Sequence, residues 1–263
     1  MTVLVLNRRH QSTYLAMAEY WVYTPGDKLP DDDDVVTRMI RDNPYRRRGV
    51  SPIGTAEGLI FSDVRLHVAL ALRAKNPHIF RPDQFEDGIQ PAAEIVEALK
   101  TAKALVKIRY VSDIPLKDKR HLQFLLHASD TIAELTQAQV IYDVKADRLF
   151  SRQELQAILR DNFDVTGSEL QTSTIWKQGP VIGRAETRGL NKIGLQDLCT
   201  GDMDLDQRVL ATHIVNEAIR TLWANTDVPE SMDVQAFDDT FRLQFEKMKD
   251  KPTMVKILRV QEL

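Results

Sequence analysis

A single cysteine, Cys199, in 263 residues leaves no partner for an intramolecular disulfide and no multi-cysteine cage for a metal. The setting this implies is a reducing one, and a cytoplasmic location is expected. Long hydrophobic runs are also missing: no window approaches the roughly 18 apolar residues of a membrane span. The opening MTVLVLNRRHQ sets its apolar run before its basic residues, and that run is too short for a secretory leader. Charge of one sign is not in excess either. The 35 basic and 38 acidic side chains give a net charge of -3, so no global field draws the chain onto nucleic acid or an anionic membrane. There is no G-x-S-x-G nucleophile elbow. The stretch GVSPIGTA, residues 49–56, has the glycine spacing of a phosphate loop but no phosphate-contacting lysine, and Pro52 removes a backbone N–H.

What is present is the composition of an ordinary globular protein, 43% apolar and 28% charged, on a chain long enough to bury a core. Residues 2–6 read as a buried strand and residues 12–21, STYLAMAEYW, as a helix. TPGDKLP ends that helix. The following DDDDVVTRMIRD places acidic residues where a helix dipole favours them. Neighbouring aspartates point in different directions on a helix, so a capped helix start is expected there and not a metal cluster. Residues 58–72 mix strand and helix periods. Beyond residue 91 the pattern is clearer: helix (PAAEIVEALKTA), strand (ALVKIRYV), long amphipathic helix (residues 116–138) and strand (QVIYDV). The last three form a βαβ unit, whose strands should lie parallel in one sheet. Ser151 and Glu154 have capping-box spacing at a helix start. Residues 171–187 read as a hairpin turning around Gln178, Gly179 and Pro180, residues 204–223 as an amphipathic helix, and residues 253–260 as a last strand. The expected fold is α/β (or α+β), a mixed β-sheet with a βαβ unit and a C-terminal hairpin, covered by amphipathic helices. An N-terminal α/β part (residues 1–90), not taken to fold independently, precedes an α/β part with the βαβ unit, hairpin and C-terminal helix and strand (residues 91–263).

The side chains with chemistry are few. His121 and His127 share a helix but lie about 240° apart around its axis, so they do not chelate one metal. His10, His67, His78 and His213 have no ligand spacing, and no metal or other cofactor is expected. Carboxylates near Cys199 would raise its thiol pKa, the wrong direction for a nucleophile. Arg46, Arg47 and Arg48 form the one basic triplet, a possible phosphate or partner contact whose default reading is a solvated loop. Asp143 ends a buried strand, where sites gather in parallel sheets; its bland alternative is an Asx cap on the turn through Lys145 and Ala146.

GRAETRGLNKIGLQDL, residues 183–198, concentrates these questions. Strand alternation puts Ile182, Arg184, Glu186 and Arg188 on one face and Gly183, Ala185 and Thr187 on the other. Gly189 and Gly194 can then turn the chain with positive φ. Thr187 and Arg188 offer a hydroxyl and a bidentate guanidinium to an anion, or Arg188 pairs with Asp197 or Asp143 and pins the corner, which is the favoured reading.

ETRGLNKIGLQDL, together with the strand–helix–VIYDV unit and the helix beginning SRQEL, resembles a family of bacterial proteins grouped as a domain of unknown function. Its members carry a similar Thr-Arg or Thr-His, Gly-Leu, then Gly-Leu-x-Glu/Asp-Leu segment. The resemblance runs over roughly residues 92–223; it implies an α/β domain and brings no established activity or catalytic residues with it. The leading expectation is a non-enzymatic interaction protein of accessory, adaptor or immunity type, with a protein partner or a second copy of itself and no membrane role; a nucleic-acid role, resting only on Arg46, Arg47 and Arg48, ranks third. The alternative is a small enzyme or sensor for a phosphorylated or anionic molecule, bound by Thr187, Arg188 and Asp143 with His213 assisting.

Overall fold

The computed structural model describes residues 15–41, 54–55, 58–59, 65–81, 91–248 and 251–260. The expected strand at residues 2–6, His10, residues 12–14 of the expected helix, the triplet Arg46, Arg47 and Arg48, and residues 49–53 and 56 of the glycine-spaced stretch lie outside them.

The chain is an α+β fold with two main sheets. It begins with β1 (Ala16–Thr24) and α1 (Asp32–Arg41), then the short hairpin β2 (Gly54–Thr55) and β3 (Gly58–Leu59), β4 (Leu66–Leu72), α2 (Ala93–Thr101), β5 (Ala104–Ser112), α3 (Arg120–Thr136), β6 (Val140–Asp143) and β7 (Arg148–Ser151). The first sheet has the order β4-β5-β1-β6-β7, and every neighbouring pair is antiparallel. β5 and β6 therefore run in the same direction within one sheet, as a strand–helix–strand unit requires. They are not neighbours: β1 lies between them, pairing Tyr20 with Ile108 on one side and with Asp143 on the other.

This arrangement corrects the helix expected at residues 12–21. Its alanines, methionine and glutamate favour a helix by propensity, but Ala16 to Thr24 form the central strand of the sheet. A strand with neighbours on both edges and cover on both faces is apolar almost throughout, and seven of its nine residues are buried. Such a run is indistinguishable from a buried helix by periodicity alone. Tertiary pairing overrides the local preference.

Other elements follow their local signals. Asp31 caps α1, its side chain accepting from Asp33 N at 2.9 Å. Ser151 opens α4 (Arg152–Asp161) with a complete capping box: its Oγ accepts from Glu154 N, and the Glu154 side chain accepts from Ser151 N.

After α5 (Ser168–Gln171) comes the second sheet. It comprises β8 (Ser173–Gln178), β9 (Ile182–Arg188), β10 (Leu198–Thr200), β11 (Met203–Asp204), β12 (Ser231–Ala236), β13 (Asp239–Glu246) and β14 (Thr253–Arg259). β8 and β9 are the expected hairpin, closed by Gly179 N donating to Ile182 O at 2.8 Å. β10 and β14 pair in parallel; the other pairs are antiparallel. α6 (Arg208–Asn225) lies against this sheet, burying Ala211, Ile214, Val215, Ala218, Ile219 and Leu222 on one helical stripe. The acidic residues ahead of it form a 3-10 turn, Leu205–Gln207, capped by Asp204.

The two sheets share one apolar core. Tyr20, Val22 and Ile108 of the first pack in the same cluster as Ala185, Leu243 and Val255 of the second, with α3 and α6 contributing Leu122, Phe124, Leu125, Ile214 and Leu222. Ser151→Ala removes the α4 cap and should lower unfolding free energy by about 1 kcal/mol. Urea titration of the variant against wild type checks this.

Candidate functional site

The glycine corner sits where the sheets meet. β9 ends at Arg188, and the chain reverses through a 3-10 turn, Leu190–Ile193, packed against β1. Gly189 (φ 103°) and Gly194 (φ 89°) bracket that turn, both in the left-handed region that glycine enters at little cost. At Gly189 space matters as well, since a Cβ there would stand 2.5 Å from the Gln171 carbonyl oxygen.

The turn delivers Lys192 into the interior, where its side chain is 0% exposed. The ammonium donates to Asp143 Oδ2, to Gln171 Oε1 at 2.9 Å and to the Tyr20 hydroxyl at 3.3 Å. Three protons thus meet three acceptors. Tyr20 in turn donates to Gln171 Oε1 at 2.9 Å, and Gln171 Nε2 donates to Val165 O at 2.7 Å. Asp143 Oδ1 is used separately, accepting from Lys145 N at 3.2 Å and Ala146 N at 3.1 Å, which is the Asx cap. Burial pulls the Lys192 ammonium below its ordinary value while Asp143 opposes the shift. Burial, and then the charge of Asp143, pushes the Tyr20 phenol well up. The phenol stays protonated and serves as a hydrogen-bond relay.

His121, buried on α3, bonds through Nε2 to the Lys192 carbonyl oxygen at 3.1 Å and stacks on Tyr110. A carbonyl only accepts, so Nε2 carries the proton. Burial holds His121 at about 4, and burial followed by the Arg38 charge holds His127 at about 4 as well. His127 approaches Gln123 at 2.9 Å, on the other side of α3 from His121.

Above the corner, Asp197 Oδ1 accepts from Leu190 N at 3.1 Å and from the Thr187 hydroxyl at 3.2 Å. Burial pushes its carboxyl up to about 6. The Thr187 oxygen also accepts from Leu198 N at 2.7 Å, so a fully buried hydroxyl has both a donor and an acceptor partner inside the protein.

Arg188 pairs with Glu186 at 3.2 Å, not with Asp143, and its Nη1 reaches the Thr187 carbonyl at 3.3 Å. Alternation along β9 accounts for this, because Arg188 and Glu186 share a face and Asp143 already holds Lys192. Glu186 also receives Lys177 at 3.1 Å and Arg184 at 2.8 Å. Burial would raise its carboxyl, but these three cations outweigh burial and hold it below the ordinary carboxylate range.

The expected site residues are thus brought together only in part. Thr187, Arg188 and Asp143 lie at the corner, whereas the exposed His213 stacks on Phe237 of the β12–β13 turn at 5.2 Å. Lys192 and Gln171, the residues that complete the cluster, escape sequence reasoning because Lys192 lies 49 residues from Asp143 and 172 from Tyr20. The available signal was a lysine enclosed by Leu190 and Ile193 between two glycines. Cys199 is buried, and burial, then Glu186, raises its thiol. Among the described residues no group of three or more His, Cys, Asp or Glu side chains is placed to hold a metal, and no helix is long and apolar enough to cross a membrane.

No protein-family model, no curated protein and no solved structure matches the chain.

Lys192→Met leaves a buried, unpaired carboxylate and should cost about 3–5 kcal/mol of stability. Adding Asp143→Asn, which keeps the Asx cap but removes the charge, should recover a substantial part of that loss in the same chemical denaturation experiment. The pH dependence follows from the histidines. His121 and His127 sit near 4 when folded and 6.5 in ordinary peptides, so between those values the unfolded chain binds more protons and stability is lost as pH falls. Asp197, raised from 3.8 to about 6, works the other way, losing stability as pH rises through the same window. Two groups oppose one. Thermal midpoints should therefore fall from pH 6.5 to pH 4, and fall less steeply in His121→Gln.

Proposed function

We propose that this is a non-enzymatic interaction protein whose binding face lies at the α6 end of the second sheet, away from the glycine corner. The observation that carries the reading is a concentration of exposed apolar side chains there. Phe237 is 67% exposed, Val209 68% and Val181 74%. Val209 precedes His213 by one helical turn on α6, and His213 holds the Phe237 ring. Ile182, next to Val181, pairs with Asp204 on β11, which caps the 3-10 turn four residues before the start of α6. Large exposed apolar side chains brought near one another by β9, β11 and the start of α6 mark an interaction surface, whereas Leu15, Leu29, Ile40, Val68, Ile114 and Leu135 are exposed on other elements or in loops.

The backbone at Phe237 is strained as well. It occupies φ 55°, a region that a bulky residue enters at a cost of about 1–3 kcal/mol. A tight two-residue hairpin turn favours glycine or asparagine here. An aromatic ring kept exposed on a strained turn serves something other than stability. The alternative reading, an anionic small molecule at the corner, has less to rest on, since the Thr187 hydroxyl is internally bonded and Arg188 faces Glu186.

Phe237→Gly should leave the denaturation midpoint equal or higher, because glycine relieves the turn. It should also abolish capture of a stoichiometric partner that the tagged wild-type chain retains from native lysate. A wild-type chain that recovers no stoichiometric partner and is monomeric by light scattering contradicts the reading.

A further inference from the structure

Resting on that reading, we infer that the partner presents one large apolar side chain flanked by lysine or arginine, which enters the cavity between the start of α6 and the far ends of β13 and β14. The cavity has a volume of about 610 Å³ and opens to solvent. Its apolar lining includes Met203, Leu210, Phe237, Phe241 and Ile257. That volume is within the range of sites that enclose a small ligand or a side chain with its neighbours, roughly 300–1,000 Å³. It lies beyond the carboxyl end of β10, where Thr200, Gly201 and Asp202 line it, and alongside β14 from Val255 to Arg259. Gly201 lies on its wall with open space where a Cβ would project.

The charges at the mouth choose the occupant. Asp202 lines the cavity, and Asp204, Asp206 and Asp238 flank lining residues; none of the four is in an ion pair among the described residues. Asp239 and Arg259 neutralise each other across β13 and β14. Lys256 and Arg208 are the basic groups that remain, two against four. An apolar hollow with an acidic mouth is complementary to an apolar anchor with basic neighbours. A second copy of this chain meets the reverse condition: in a two-fold contact through this face the acidic mouth opposes itself.

A random 12-residue peptide library displayed on phage, panned against the full chain, tests this. Enriched peptides should share an aromatic or large aliphatic residue with Lys or Arg beside it. Binding of a synthetic enriched peptide should weaken at least about tenfold in Phe237→Ala, an exposed position that leaves the fold intact. Asp202→Lys with Asp238→Lys should weaken it by a similar factor at low salt and by less at high salt. Enriched peptides with acidic or uncharged flanks, or indifference to the aspartate reversals, would overturn the basic-flank inference while leaving the interaction face standing. Peptides whose binding survives Phe237→Ala would remove the face itself. A concentration-dependent dimer in light scattering that Phe237→Ala abolishes would assign the cavity to a second copy and overturn the inference.

Discussion

A fully buried ammonium is tolerated only where every proton has an acceptor, and Lys192 satisfies that condition by drawing on both sheets. Asp143 and Tyr20 come from β6 and β1 of the first; Gln171 comes from α5, which leads into the second. Removing two charges from water is costly, and attraction within the pair offsets the cost only when geometry and remaining hydrogen bonds are satisfied together. A displacement of one sheet against the other would leave Lys192 or Asp143 unpaired. The pair therefore specifies the relative placement of the sheets more than it adds to net stability.

The features of the corner serve that placement. Gly189 lets the chain leave β9 at an angle closed to other residues, with the Gln171 carbonyl lying where a side chain would begin. Asp197 holds the first turn from outside through Leu190 N and Thr187. His121 holds it from inside through the Lys192 carbonyl. The β6–β7 turn is tied across by Ser173, whose hydroxyl donates to Ala146 O at 2.5 Å. A corner in which Lys192, Asp143, Thr187 and Asp197 are all bonded internally has few groups left for a ligand. The groups free to meet a partner lie instead at the start of α6, where an exposed aromatic, an open cavity and carboxylates without an ion pair among the described residues occur together.

The sequence is most informative where local chemistry decides structure. Ser151 and Glu154, Gly189 and Gly194, the Gly179 turn and the Asx cap of Asp143 each satisfy their own backbone groups within a few residues, so their roles can be read directly. β1 is not legible in this way, because the central strand of a sheet and a buried helix present the same apolar run and only pairing separates them. The corner shows the limit most plainly. Arg188 has the stronger guanidinium, yet strand alternation commits it to Glu186, while Lys192 three residues past the glycine turns inward to Asp143. Strand periodicity predicts the first outcome; the second depends on a sheet whose order is set by residues far along the chain. Phe237 is hidden from sequence for a similar reason, since nothing local marks a phenylalanine as the left-handed residue of a tight turn.

If the Lys192–Asp143 pair couples the two sheets, they should open as one unit. Native-state amide hydrogen exchange on the intact chain measures this directly, comparing β5 in the first sheet with β13 in the second. The slowest amides of both should exchange with a common free energy equal to that of global unfolding, and both should fall together in Lys192→Met. A second sheet that exchanges with a free energy lower by about 2 kcal/mol or more, unchanged when Lys192 is replaced, would show that the sheets open separately and contradict that coupling.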